Sequence, residues 1–447
     1  MIFQAHLFPQ IYAEYQAYLA RADDATGLRE LQRTRLADVL GHALRQVPVY
    51  RETGVTLDAA DPWRTLARLP AITKADLRQR LIDHCDDVLD PKRCRSVRTS
   101  GTTGEPLRII HDFDHLRHAY ALGLVRTHRT GLPLDRRVLY PFHTALDRWF
   151  EYTAPAYGLA RIAEFGAVGD EDYWTDIVRL VRGYRPETIV GHPTRCLELA
   201  DLLERHGGRG FEPPRLVNTW GERLAAAAAR RLGGFFAAPV RDAYGMSEVG
   251  TIAVQCELSA YHVESERLWI EILDEAGEPV PRGQVGEVVI TNLINRAMPL
   301  LRYRTGDLAA LAEGACACGR PNIALRLVEG REPGRLVLPG GRRLGVRAVA
   351  LPLQALPLAR YQVVQRAPEE IELIVQPLPG TDQALLEQAR GQAQAAVSQA
   401  SEAVVRVTLR SDGAFVRRGA RKMQEFVSYL PDAGWYESGG ATAGTAS

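Results

Sequence analysis

The sequence predicts an α/β protein with a large N-terminal domain and a small C-terminal α+β domain, and three observations lead to this prediction. Short apolar runs alternate with a helical pattern between Val138 and Val190, as in βαβ units of a parallel sheet. From Leu268 onward, two β-rich runs flank a Gly/Pro-rich connection, which is typical of an antiparallel hairpin or a small β-barrel-like section. After Gly330 the pattern changes to paired strands, one helix and a further strand.

Length, composition and charge exclude several classes of protein. The chain has 447 residues, of which 46% are apolar, and this is enough for a large core and two or more domains. Its 55 basic and 54 acidic side chains give no overall field that would attract nucleic acid or an anionic membrane. We find neither a leader pattern nor roughly 18 consecutive apolar residues. We therefore expect a cytoplasmic protein with no nucleic-acid or membrane partner.

The elements can be assigned in chain order. Residues 11–46 have helical spacing, and Thr73 is expected to cap a helix in "LPAITKADLRQRL". "RVLYPF" and "ETIVGHP" predict strands on either side of a helix in "DEDYWTDIVRLVRGYRP", and "LWIEIL" and "GEVVITNL" predict the hairpin. "YQVVQRAPEEIELIVQPL", "DQALLEQARGQAQAAVSQASEAV" and "VRVTLRS" predict the last strands and helix. The predicted domains are 1–330 and 331–436, with a disordered tail over 437–447.

A Gly/Ser/Thr-rich segment, "TSGTTGEP", has the composition of a phosphate-binding loop. Its backbone N–H groups and hydroxyls suit phosphate oxygens that approach the main chain. It is not a Walker loop, because Gly104 is followed by Glu105 and Pro106 instead of Lys and Ser/Thr. From these residues alone, a flexible surface connection is about as good an explanation.

Further motifs follow this loop in a recognisable order. They are "DAYGMSEVG", "PLLRYRTGDL", "CACGRP" and "EGR", with "VPVYRE" and "LPAITKADLR" nearer the start. Together they resemble the adenylate-forming (acyl-CoA synthetase) superfamily, and most of all its phenylacetate-CoA ligase-like branch, over nearly the whole chain. The resemblance implies ATP- and Mg²⁺-dependent activation of a small-molecule carboxylic acid as an acyl-adenylate. It also implies coenzyme A as the expected acceptor and a C-terminal domain that moves.

The resemblance assigns nucleotide-binding and catalytic roles to specific positions. Ser247 is expected near the α-phosphate, Glu248 on Mg²⁺, Tyr244 against the adenine and Asp307 on the ribose hydroxyls. The other nucleotide-binding positions that it implies are Ser100, Gly101, Thr102, Thr103, Gly104, Gly221, Glu222, Gly245 and Arg331. Without the resemblance, the same segments are ordinary turns, with a core tyrosine and solvated carboxylates. Arg302 and Arg304 either attract the phosphates or cover the domain surface.

The C-terminal domain departs from the family pattern at two points. Lys422 matches the family's catalytic lysine, but Arg421 stands where a glycine is expected, which leaves Arg418 and Arg421 as rivals. A lysine's compact charge favours Lys422. At the junction, Pro333 and Gly334 replace the usual acidic hinge, although Glu332 lies just before them. An amine or a carrier-protein thiol therefore stays open as the acceptor.

Four residues form a candidate metal site. Cys256, His262, Cys316 and Cys318 are a ligand set that suits tetrahedral Zn²⁺. Because Cys-x-Cys is tighter than the usual spacing, the sequence alone leaves zinc and buried thiols about equally supported. The resemblance favours a structural zinc site. The other cysteines, Cys85, Cys94 and Cys196, are expected to be ordinary thiols.

The acid pocket is the part that the sequence defines least. Tyr140, Phe142, His143 and Trp149 could line a pocket for an aryl or arylacetic acid, or they could simply pack in the core. Relatives tend to be glycine-rich here, so an unusual polar or amino-substituted acid stays open. A non-catalytic nucleotide-binding interaction protein is the alternative from another class, and a homodimer is compatible with either.

Overall fold

The computed structural model describes residues 8–77, 93–98, 107–143, 148–166, 171–206, 211–329, 335–354, 356–378, 380–416 and 425–430. These residues form two compact units: the first contains the described residues up to 98 and from 108 to 329, and the second contains Leu107 and the described residues from 335 onward. The first unit contains the large sheet, and the second contains a four-stranded sheet of its own. No described helix is long and apolar enough to cross a membrane.

The first unit begins with helices and then alternates strands and helices. Its helices are α1 (Phe8–Leu19), α2 (Ala25–Gln46), α3 (Pro48–Arg51), α4 (Pro62–Ala67), α5 (Lys74–Asp76), α6 (Phe113–Arg129), α7 (Glu171–Tyr184), α8 (Pro193–Arg205) and α9 (Ala226–Phe236). Its strands are β1 (Cys94–Arg98), β2 (Arg108–Asp112), β3 (Arg137–His143), β4 (Phe150–Ala154), β5 (Ala160–Gly166), β6 (Thr188–Gly191), β7 (Leu216–Trp220), β8 (Val240–Met246), β9 (Gly250–Gln255), β10 (Tyr261–Val263), β11 (Leu268–Leu273), β12 (Gly286–Asn292), β13 (Tyr303–Leu311) and β14 (Ala324–Glu329).

Local sequence signals explain several of these boundaries. Thr73 and Asp76 form a capping box at the start of α5, because each side chain bonds to the other residue's backbone N–H. Asp112 caps α6 by accepting from the backbone N–H of His115 at 2.7 Å. Ile11 and Tyr15 of α1 lie in one buried cluster with residues of α6. The predicted helical start and the predicted cap at Thr73 are both confirmed.

Twelve strands form the large sheet, in the order β11-β12-β13-β14-β10-β9-β8-β7-β6-β3-β5-β4. From β5 to β8 the neighbouring strands are parallel, which confirms the predicted parallel sheet. The pairs β11-β12, β12-β13 and β13-β14 are antiparallel, as the hairpin prediction requires. The strands expected to form a barrel-like section thus continue the large sheet.

Parallel pairing sets the position of the candidate site. Because β3, β6, β7 and β8 run in the same direction, their carboxyl ends meet at one edge of the sheet. In open α/β sheets, ligands bind in the crevice at this edge. The segments that leave these strands begin at Gly191, Trp220 and Met246. The predicted site residues Gly221, Glu222, Ser247 and Glu248 therefore follow the strands at this edge.

The second unit is the predicted α+β domain. It contains strands β15 (Arg335–Val337), β16 (Arg343–Gly345), β17 (Leu358–Ala367), β18 (Glu370–Pro377), β19 (Arg406–Arg410) and β20 (Phe426–Ser428), with helices α10 (Arg347–Gln354) and α11 (Gln383–Ala400). The main sheet has the order β19-β18-β17-β20, in which β17 and β18 are antiparallel. Leu386, Ala389 and Val397 of α11 join the buried core with Val363 and Leu373 of the sheet.

Candidate active site

Two motifs that are far apart in the chain meet at Tyr244 and Asp307. The Tyr244 hydroxyl donates to Asp307 Oδ2 at 2.6 Å. Asp307 is buried on β13, and its own backbone N–H donates to the Thr305 hydroxyl at 3.0 Å. An aromatic ring beside a carboxylate offers a stacking face and two acceptor oxygens, which are the groups that a nucleoside needs.

The turn between β8 and β9 carries Ser247 and Glu248. Ser247 is exposed, whereas Glu248 is 2% exposed and accepts a long hydrogen bond of 3.4 Å from the Tyr303 hydroxyl. Gly245 lets the two strands approach closely, because a Cβ there would lie 2.7 Å from the carbonyl oxygen of Gly250. Tyr303 shares β13 with Asp307, so Glu248 and Tyr244 both contact that strand.

Gly221 and Glu222 lie just after β7, at the carboxyl edge of the sheet. Gly221 has a φ of 77°, a conformation that glycine adopts easily. The Glu222 carboxylate accepts from the backbone N–H of Thr194 at 3.3 Å, in the first turn of α8. This is a favourable place for a negative charge, since the N-terminus of a helix carries a partial positive charge.

Asp242 is a buried carboxyl that the sequence analysis did not single out. It accepts from the Thr219 hydroxyl at 2.5 Å and from the Tyr261 hydroxyl at 2.7 Å, and its backbone N–H donates to the Gln255 side chain. Burial raises the pKa of Asp242 to about 6, although both hydroxyl donors act in the opposite direction. The hydrogen bonds of Asp242 thus connect β7, β8 and β10 two residues before Tyr244. Its place at the start of "DAYGMSE" was the available signal.

Several predicted site residues lie outside the described residues. They are the loop residues Ser100, Gly101, Thr102, Thr103 and Gly104, together with Arg331 and Lys422. The hinge residues Glu332, Pro333 and Gly334, the rivals Arg418 and Arg421, and Cys85 also lie outside them. The expectations for these positions stay predictions.

The four predicted metal ligands come together. The ligand atoms of Cys256, His262, Cys316 and Cys318 all lie within 4.8 Å of one another. Cys256 and His262 flank the β9-β10 connection, and the two other cysteines lie between β13 and β14. The antiparallel pairing of β10 with β14 brings the two segments side by side.

The geometry of this Cys/His cluster suits a tetrahedral ion. The Cys256 and Cys316 sulfurs are 3.8 Å apart, and roughly 3.8 Å is the edge of a tetrahedron with Zn–S bonds of about 2.3 Å. Cys318 Sγ lies 3.2 Å from His262 Nε2. His262 Nδ1 lies 3.0 Å from the carbonyl oxygen of Asn322, which fixes the ring with Nε2 towards the sulfurs. The donor set and spacing both fit zinc.

The structure divides the four predicted pocket residues. Phe142 and Trp149 both contact the Phe165 ring, at centroid distances of 5.1 and 6.2 Å, and Trp174 lies 6.1 Å from Phe142. Tyr140 packs instead with a different cluster, which includes Ile162. Burial raises its pKa to about 12. The side chain of His143 is not among those that the structure describes, so its predicted role stays a prediction. Phe165 and Trp174 were not predicted from the sequence, because they lie on β5 and α7, outside the segment that contains the four predicted residues.

Arg302 and Arg304 are both engaged in ion pairs within the large sheet. Arg302 pairs with Glu271 at 3.1 Å and donates to the backbone of Leu69, while Arg304 pairs with Glu287. Because both charges are already paired, these contacts argue against a role in attracting the phosphates, and Arg302 is buried in the domain instead of covering its surface. Cys94 and Cys196 are thiols and not halves of a disulfide, as the sequence predicts.

Comparisons with known proteins agree with this geometry. The family model for AMP-binding enzymes matches residues 96–293. The phenylacetate-coenzyme A ligase of Thermus thermophilus is 29% identical over 363 residues, which cover 76% of this chain and 78% of that protein. The phenylacetate-coenzyme A ligase of Pseudomonas putida is 29% identical over 334 residues, which cover 70% of this chain and 72% of that protein.

A solved structure shares the fold. The crystal structure of 2-hydroxyisobutyryl-CoA ligase in the postadenylation state, in complex with R3-HIB-AMP, matches with a TM-score of 0.66 and 20% identity. The match covers 91% of each chain. The α/β architecture, with a large mixed sheet and a separate small C-terminal sheet, is therefore the fold of that structure.

Proposed function

We propose that the chain is an AMP-forming acid:CoA ligase of the adenylate-forming superfamily, in its phenylacetate-CoA ligase-like branch. It activates a carboxylic acid with ATP and passes the acyl group from the adenylate to coenzyme A. ATP and coenzyme A are cosubstrates of cytoplasmic metabolism, which supports a cytoplasmic location.

One observation carries the proposal: two side chains of "DAYGMSEVG" contact the same strand, β13. The Tyr244 hydroxyl donates to Asp307 at 2.6 Å. Glu248 accepts from the hydroxyl of Tyr303, four residues before Asp307, at 3.4 Å. The nucleoside-binding groups and the acidic turn are thus held at one sheet edge.

The reaction has two steps that balance. In the first, a carboxylate oxygen of the acid attacks the α-phosphorus of ATP, the bond to the bridging oxygen breaks, and pyrophosphate leaves. In the second, the coenzyme A sulfur attacks the acyl carbon, its proton is released, and AMP leaves. The protein acts by positioning and by stabilising the negative charge that develops in each transition state.

This chain's own residues have distinct parts in the first step. Asp307 would accept from the ribose hydroxyls, and Tyr244 would hold the adenine while orienting that carboxylate. Ser247, exposed on the turn, would donate to the α-phosphate, and Glu248 would hold Mg²⁺. Mg²⁺, when bound, neutralises phosphate charge. Lys422 would supply a mobile positive charge to the carboxylate and phosphate oxygens.

Composition adds support for Lys422. Only three of the 55 basic residues are lysines, at positions 74, 92 and 422, and all the others are arginines. A chain that uses arginine almost everywhere retains a lysine inside the segment that resembles the family's catalytic one. A compact ammonium group suits a site where the charge must fit between two anions, whereas the rivals Arg418 and Arg421 carry a broad planar group.

We also propose a structural Zn²⁺ at the Cys/His cluster. Three thiolates and one imidazole would close its coordination shell, so the ion would tie the β9-β10 connection to the segment before β14 and take no part in the reaction. For the acid, we propose an aryl or arylacetic acid, which the Phe142, Trp149 and Trp174 rings around the buried Phe165 would contact.

The test is a pyrophosphate-release screen over aryl, arylacetic and fatty acids with ATP and Mg²⁺. Each acid is run with and without coenzyme A, and the products are identified by mass spectrometry. We expect an aryl or arylacetic acid to give pyrophosphate, AMP and the acyl-CoA. Release that yields only an acyl-adenylate or its amine adduct would move the acceptor to an amine or carrier thiol. An absence of release with every acid would contradict the proposal.

The lysines provide a second test. An acyl-phosphate derivative of ATP transfers its acyl group to a lysine near the nucleotide, and here only three can react. We expect ATP-protected labelling at Lys422. Lys92→Ala serves as the control for Lys422→Ala, because it removes an equal charge outside the motif. Labelling of Lys74 or Lys92 alone would refute the assignment.

A further inference from the structure

Two side chains from outside the recognised motifs hold the turn that carries Ser247 and Glu248. His111 Nε2, on β2, lies 3.0 Å from the carbonyl oxygen of Ser247. Arg267 Nη1 donates to the carbonyl oxygen of Val249 at 2.7 Å. The carbonyls on both sides of Glu248 are therefore held by buried groups, which restricts how the turn can rotate.

The His111 ring has one protonation state that fits these contacts. It is 5% exposed, and burial lowers its pKa to about 4, so the ring is neutral near pH 7. A carbonyl oxygen only accepts, so the ring proton lies on Nε2 and points at Ser247. The His115 ring stacks on it at 4.6 Å and 10°, and it is held in turn by Asn292. His111 is thus a fixed neutral donor.

His111 also lies on the strand that follows the predicted phosphate loop. Strands β1 and β2 pair antiparallel on either side of residues 99–107, with His111 opposite Arg95. The next residue, Asp112, accepts from the backbone N–H of Arg296 at 2.7 Å and also caps α6. The base of this hairpin is therefore firmly attached to the domain, and His111 joins it to the turn.

We propose that His111 is a positioning residue for the adenylation step, which fixes the Ser247–Glu248 turn against β2. This inference rests on the proposed function, because it assigns the α-phosphate and Mg²⁺ to this turn. His111 does not touch the reacting groups itself. Arg267 holds the opposite end of the turn, and its complete burial beside Glu264 makes it unsuitable for the first test.

The experiment compares His111→Gln with His111→Leu. The two replacements are similar in size, but only glutamine can place an amide N–H near the position of Nε2. We expect His111→Leu to lower kcat/KM for MgATP in adenylation by about tenfold and to weaken MgATP binding in calorimetry by a similar factor. His111→Gln should retain most of both. Thioester formation from supplied acyl-adenylate and coenzyme A should fall less than adenylation in His111→Leu, because the adenylate keeps the α-phosphate beside Ser247 but lacks the pyrophosphate and its Mg²⁺.

A control variant and the possible outcomes distinguish a positioning role of His111 from a merely structural one. His128→Leu removes another imidazole contact, of 3.1 Å to the Tyr15 hydroxyl, and should leave both steps unchanged. Equal behaviour of the Gln and Leu variants, or an equal loss in both half-reactions, would overturn the positioning role. If the wild type binds MgATP but activates no acid, the proposed function fails while the binding data still decide the role of His111. If it binds no MgATP, both fail.

Discussion

Replacing Asp242 by asparagine should change how the stability of the protein depends on pH. Burial raises the pKa of this carboxyl from 3.8 to about 6 in the folded chain. The folded state therefore keeps a proton that the unfolded state loses at lower pH. The contribution of this group to stability is complete below pH 3.8, and it is lost as the pH rises through about 6.

The size of the effect follows from the shift. At about 1.4 kcal/mol for each pKa unit, the rise at Asp242 corresponds to about 3 kcal/mol between the two limits of pH. An asparagine does not titrate, and its amide can still bond to the Thr219 and Tyr261 hydroxyls. The free energy of unfolding of Asp242→Asn, relative to wild type, should thus increase by about 2 to 3 kcal/mol from roughly pH 4 to pH 7.

Urea unfolding at several pH values, without nucleotide, measures this difference. The difference in unfolding free energy between Asp242→Asn and wild type has one part that does not vary with pH, which depends on how well the amide fits. Only the part that varies with pH tests the argument. Asp172→Asn, which replaces an exposed aspartate of α7, shows whether loss of one negative charge alone produces a slope. A difference between Asp242→Asn and wild type that does not vary with pH would refute the reasoning.

Three further predictions concern the site and the cluster. Tyr303→Phe keeps the buried ring but removes the hydroxyl from Glu248, so the apparent affinity for Mg²⁺ in adenylation should fall about fivefold. Cys318→Ser should lower the zinc content from about one equivalent towards zero and reduce the melting temperature. The control variant Cys94→Ser should keep the metal. Wild-type protein that is fully active without zinc would contradict this prediction. Lys422→Ala should slow adenylation on the order of a hundredfold but leave MgATP binding nearly intact, as stopped adenylation assays and calorimetry can show.

Local pattern predicted much of this fold because each element carries its own signal. The alternation between Val138 and Val190 predicted parallel strands with helices between them, and the pairing of β3, β6 and β7 confirms it. The four metal ligands could be grouped from the sequence for two reasons. Cys256 and His262 are close in the chain, as are Cys316 and Cys318, and three cysteines with one histidine are a common ligand set for zinc.

The acid pocket shows where such reasoning stops. Tyr140 and Phe142 are two residues apart on a predicted strand, so regular alternation places both side chains on the same face. Phe142 instead has a φ of 60°, and the pairing of β3 with β5 shifts between Tyr140 and His143. The break in the pleat sends Phe142 to the Phe165 cluster. A positive φ at a non-glycine residue leaves no mark in the sequence.

His111, which holds a motif residue in place, could not be predicted from the sequence for a related reason. His111 and Ser247 are separated by 136 positions in the chain, so their contact depends on tertiary packing and has no local spacing that could reveal it. A ligand-contacting residue belongs to a compact motif, whereas the group that holds it in place can come from any neighbouring strand.

The Cys/His cluster and the nucleotide site are joined by such groups. Tyr261 and His262 are consecutive on β10, and their side chains point to opposite faces, so one holds Asp242 while the other faces the sulfurs. Gln255, next to Cys256, bonds to the backbone of Asp242. Loss of the proposed zinc would loosen β10 at this point, but the pairing of β10 with β9 and β14 would remain. If the proposed zinc is bound, its removal by a chelator should therefore weaken nucleotide binding, measured by calorimetry, before it unfolds the domain, because the bonds of Tyr261 and Gln255 to Asp242 lie next to the cluster.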